Sequence, residues 1–135
     1  MPALTIWSVR FALVYLGLGF TFGALMLWNK GLPISGALWS LLPAHIDFLL
    51  FGWTVQLILG VSFWILPRFK HPPKRGNEKL AWGAVILLNA GVLLVAISPF
   101  LAQLPWILTA SRAAQLISAL LYMLHAWPRI KPTGT

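Results

Sequence analysis

The chain has 135 residues, 59% of them hydrophobic and 9% charged, with a mean hydropathy of +0.83. A soluble domain of this size has too little interior to hide so much apolar surface, which excludes a water-soluble globule. Ten Lys and Arg face only two acidic residues, for a net charge of +8, and there is no cysteine, which removes disulfides, thiolate metal sites, iron–sulfur clusters and thiol redox catalysis.

Four apolar runs follow one another at about 7–29, 43–66, 80–101 and 105–127. Each is close to the roughly 20 residues that span about 30 Å of hydrocarbon. The expected fold is all-α: one domain, a bundle of four transmembrane helices in the lipid bilayer. The first run carries Arg10 near its start but ends in Leu25-Met26-Leu27-Trp28, with no small-residue cleavage site, and reads as an uncleaved helix. It carries Gly19 and Gly23, a GxxxG spacing that lets backbones approach and offers a face to a second copy. The 31–42 segment predicts a short interfacial helix with Ser35 as N-cap.

The second run opens with His45 and Asp47 and holds Gln56 at its middle, with Gly52 and Gly60 four residues to either side. Ionisable groups in a span are costly and point to function. The 67–79 loop, with His71-Pro72-Pro73, breaks helix on both sides. Asn89 in the third run is placed to hydrogen-bond between helices. Ser98-Pro99 and Pro105 predict a tight turn, so the third and fourth helices pack antiparallel. Tryptophans 7, 28, 64, 82, 106 and 127 fall at run ends, as interfacial rings do, and Trp53 falls mid-span.

The charge distribution sets an expected orientation and argues against nucleic acid as a partner. Arg68, Lys70, Lys74, Arg75 and Lys79 lie in the second loop, and Arg129 and Lys131 in the tail, whereas the first loop has only Lys30 and the third none. Basic loops stay on the cytoplasmic side. Both termini are therefore expected in the cytoplasm and His45 near the outer face.

In the fourth run, Arg112, Gln115, Ser118, Ala119 and Tyr122 recur at three- and four-residue steps, so they share one face. At 1.5 Å per residue His45 lies about 3 Å inside Pro43, and Arg112 about 10 Å inside Pro105. With snorkelling, His45, Asp47 and Arg112 can meet near the outer surface. Arg112 then either pairs with Asp47 or neutralises a carboxylate on a bound cofactor. His125 lies about 30 Å from that level, so it cannot share a metal with His45, and three scattered histidines make no three-histidine copper or zinc centre.

The segment His45, Phe51-Gly52-Trp53, Gln56, Gly60, Leu66-Pro67-Arg68 resembles helix two of the haem–copper oxidase and nitric-oxide reductase catalytic subunits. It is most similar to short, oxidase-subunit-I-like membrane proteins. The resemblance covers about one helix of the four, and the second haem ligand and the copper ligands of that superfamily lie on helices absent from this chain. It implies His45 as an axial ligand of haem b, with no oxygen-reducing centre and no complete catalytic site. Gly52 and Gly60 would admit the macrocycle, Trp53 would wall it, Gln56 would hydrogen-bond near it and Arg112 would hold a propionate. The implied roles are electron transfer or binding of a small gas such as O2 or NO, in a bacterial or archaeal inner membrane. A homodimer is expected, because one chain supplies one rim histidine, and a respiratory-chain partner is possible on this reading. The other readings are a cofactor-free accessory or assembly subunit of a respiratory complex, and a small transporter.

Overall fold

The computed structural model describes residues 1–130. Among these the secondary structure is helical, with turns and loops between the helices and no strand. Helix α1 (Ala3–Gly31) is followed by a 3-10 turn (Gly36–Leu41), α2 (Leu42–Asp47), a wide π turn (Phe48–Val55) and α3 (Gln56–Ile65). Helix α4 (Glu78–Ile97) ends in a 3-10 turn (Ser98–Leu101), and α5 (Trp106–Ala126) runs into another (Trp127–Arg129). Four stretches are long and apolar enough to cross a membrane: Ala3–Gly31, Gly36–Ile65, Glu78–Leu101 and Trp106–Arg129. That fits a multi-pass membrane protein.

The second span differs from the uninterrupted helix its hydropathy suggests. It begins earlier, at Gly36, where the Ser35 hydroxyl accepts from the Ala37 amide at 3.3 Å. Its middle widens into the π turn, where the Thr54 hydroxyl donates to the Leu49 carbonyl five residues back at 2.9 Å. Such turns recur inside helices at functional sites.

Helix α1 packs along the second span, and α4 along α5. Close approach comes from small residues. The Ser118 hydroxyl reaches the Ala84 carbonyl at 2.6 Å and the Ser111 hydroxyl the Gly91 carbonyl at 2.9 Å. The Tyr15 hydroxyl donates to Asn89 at 2.9 Å, the expected interhelical bond of Asn89, and ties α1 to α4. The apolar interior is three small clusters, centred on Phe63 with Leu4 and Val85, on Leu88 with Leu59 and Tyr122, and on Tyr15 with Phe48 and Val92. Most large apolar residues, such as Phe20, Ile86 and Leu116, face outward, as lipid contact requires.

The bundle has two unlike ends. Leu4, Phe63 and Ala81 meet at one, beside the loop with Arg68, Lys70, Lys74 and Arg75. Pro43, Ser98 and Pro105 meet at the other, where Lys30 is the only lysine among the described residues.

Candidate functional site

His45 faces α1. Its Nδ1 lies 2.7 Å from the Gly19 carbonyl, which can only accept, so Nδ1 carries the proton. In the neutral ring Nε2 is then left with its lone pair, and no side chain or backbone group among the described residues bonds to it. This is the tautomer that metal-ligating histidines use, with the second nitrogen oriented by a carbonyl. Gly23 makes room for the ring: a Cβ there would stand 2.7 Å from His45 Cε1.

Asp47, two residues on, faces the other way. It is 1% exposed, and both carboxylate oxygens receive Arg112 Nη1 at 2.9 Å. Gln115 Nε2 donates to the same carboxylate at 2.6 Å, and Gln115 Oε1 accepts from Arg112 Nη1 at 2.8 Å. The three-way meeting of His45, Asp47 and Arg112 is thus half realised. Arg112 pairs with Asp47, and neither is bonded to His45.

The glycine face of the second span is filled by α1. A Cβ on Gly52 would come within 2.6 Å of the Tyr15 ring, and one on Gly60 within 2.5 Å of Ser8 Cβ. The Thr5 hydroxyl bonds the Gly60 carbonyl at 2.8 Å. Gln56 is fully buried in this seam, its Nε2 3.5 Å from the Ser8 carbonyl, while Gln56 Oε1 and Ser8 Oγ lack partners. Trp53 is half-buried and stacks on no ring. Two features bear on whether a haem fits here. The His45 imidazole fits an iron donor; the face of Gly52, Gln56 and Gly60 does not fit a macrocycle, because Tyr15 and Ser8 occupy it. Gly19 and Gly23 are likewise taken, by Leu49 and His45, so this face is not free for a second copy.

Sequence reasoning missed the partners on α1. Thr5, Ser8, Ala12, Tyr15 and Gly19 recur at steps of three and four, and all are buried. That spacing, matched to Gly52, Gln56 and Gly60, was the available signal. It also missed Arg129, which is fully buried beside His125. His125 does not meet His71: its Nδ1 donates to the Asn77 carbonyl at 2.9 Å. No three His, Cys, Asp or Glu side chains cluster among the described residues. No protein-family model, curated protein or solved structure matches the chain.

Proposed function

We propose that the chain is an oxidase-subunit-I-like protein of a bacterial or archaeal inner membrane that offers His45 as an axial donor to haem b, for electron transfer or small-gas binding. The observation that carries this reading is the Nδ1 contact to Gly19, which leaves Nε2 unpartnered at the Pro43–Pro105 end. When bound, the haem would supply one-electron chemistry or a gas-binding iron. The chain's own part is to fix the imidazole: Gly23 gives it space and the Gly19 carbonyl sets its tautomer. The haem would sit at the bundle surface beside His45, away from Trp53, Gln56 and Gly60. Arg112 gives Nη1 to Asp47, so a propionate would meet it only through its remaining donors.

A single donor leaves the sixth position to a gas, a respiratory partner or a second copy, and we propose a homodimer formed through a face other than that of Gly19 and Gly23. Both termini lie in the cytoplasm on this reading. The test is an oxidised and reduced absorption spectrum of the purified protein, with haem quantitation and native mass spectrometry. A Soret band lost in His45→Ala and kept in His71→Ala and His125→Ala is expected. A colourless protein, even with haem supplied, would favour the second reading, a cofactor-free accessory subunit of a respiratory complex. The closed glycine face supports that alternative, since the face of Gly52 and Gly60 is committed to packing against α1.

A further inference from the structure

The second span and α5 do not close on each other. Between them runs a groove of about 340 Å³. Phe51, Val55 and Leu59 form one wall, Ala119 and Met123 the other, and Leu88 of α4 the floor. From Gln115 to Met123 it follows α5 for about 12 Å. Its polar neighbours are already satisfied. The Ser118 hydroxyl is bonded to Ala84, the Tyr122 hydroxyl to Leu59 and Ser62, and both ends of the Gln115 amide to Asp47 and Arg112. What remains for an occupant is an apolar slot.

Arg112 stands at the mouth of this slot, its guanidinium carbon 5.8 Å from the centre of the Phe51 ring. One nitrogen, Nη1, makes all its bonds to Asp47 and Gln115. Nε and Nη2 bond to nothing among the described residues, and the side chain is 47% exposed. Arg112 lies about 9 Å from the start of α5, and helical side chains lean toward the N-terminus of their helix, here the Pro43–Pro105 end. Unpaired guanidinium donors at that depth are costly in lipid. A fork of N–H groups of this shape matches a phosphate better than any neutral partner.

We infer that the groove binds an anionic phospholipid of the leaflet at the Pro43–Pro105 end, its phosphate on the free edge of Arg112 and an acyl chain between Phe51 and Ala119. The charge inventory argues against a second copy in this place. The chain has two acidic residues. Asp47 is buried in its own pair, and Glu78 starts α4 at the opposite end. A parallel copy therefore has no carboxylate to give Arg112. The inference is independent of haem binding.

The test uses the full chain purified in an uncharged detergent and offered phosphatidylglycerol or phosphatidylcholine with the same acyl chains. Lipid adducts are counted by native mass spectrometry, and thermal midpoints are measured alongside. The wild type should hold phosphatidylglycerol about tenfold more tightly, because the choline cation of phosphatidylcholine offsets the phosphate charge that Arg112 meets. Arg112→Gln should erase the preference. Ala119→Phe, which fills the slot and leaves Arg112 and Asp47 alone, should lose the adduct and the thermal gain. Lys70→Gln with Lys74→Gln should change neither. Equal retention of both lipids would overturn the proposal. So would a preference that survives Arg112→Gln and Ala119→Phe but vanishes in the loop variant, since that marks unspecific attraction to the basic end. A dimer whose dissociation, rather than lipid loss, accompanies Ala119→Phe would assign the groove to protein instead.

Discussion

Arg129 Nη1 lies 3.0 Å from Nε2 of His125, one helical turn before it. A guanidinium only donates, so His125 accepts at Nε2 and, through Nδ1–H, donates to the Asn77 carbonyl. The remaining donors of Arg129 close the end of α3: Nε reaches the Pro67 carbonyl at 3.1 Å, and Nη2 reaches Phe63 at 3.1 Å and Leu66 at 2.8 Å. A fully buried cation with no carboxylate paired to it among the described residues is held by the carbonyl end of a helix, where the backbone dipole favours positive charge.

Arg129→Ala should therefore leave three carbonyls without their partner and cost about 3 kcal/mol or more, since an orphaned buried acceptor costs roughly 1–3 kcal/mol and the losses do not simply add. Denaturant titration in micelles measures this. Arg129→Lys should recover only part of the loss. Full recovery would show that charge alone, and not the planar fork, holds the end of α3.

Asp47→Asn should cost about 2 kcal/mol. It leaves a cation facing a neutral amide, but half-exposure of Arg112 keeps the loss below that of a fully buried pair. The double variant with Arg112→Gln should be less damaged than the sum of the singles, with a coupling of about 1–2 kcal/mol. Strict additivity would mean that the pair contributes nothing.

Gly60→Ala should destabilise by about 1–3 kcal/mol, because the new methyl meets Ser8 Cβ at 2.5 Å in a tight seam. Gly17→Ala, with open space around it, should be neutral or gain up to about 1 kcal/mol from helix propensity. Equal effects at both positions would contradict the seam between α1 and the second span.

A reporter fused at the C-terminus should be active only on the cytoplasmic side. Activity on the far side would invert the bundle and move His45 to the inner face.

The helix count was legible because hydropathy over 20 residues is a strong signal, and the Asp47–Arg112 pair because two opposite charges in apolar runs have few other partners. The occupant of the glycine face was not. Gly52 and Gly60 announce close approach without saying of what, and a flat ligand and a neighbouring helix leave the same mark. In the sequence the polar residues of α5 share one face, and a polar face in a span is expected to turn inward. Ser118 and Tyr122 do turn inward, whereas Arg112 ends half outside because its length carries the head away from its own Cα. Arg129 looked like one more cytoplasmic charge, and only the fold reveals the three carbonyls around it.

The lopsided charge of the two ends also has a meaning in volts. The loop between the second span and α4 carries Arg68, Lys70, Lys74, Arg75 and Lys79 against Glu78, four charges net. Carrying them across a potential of 100 mV, negative on the loop's side, costs about 9 kcal/mol at roughly 2.3 kcal/mol per charge. That is comparable with the whole folding stability of a small domain. With the loop on the negative side, as proposed, an energised membrane would act as a latch on the inserted chain, and the latch would loosen when the potential is collapsed.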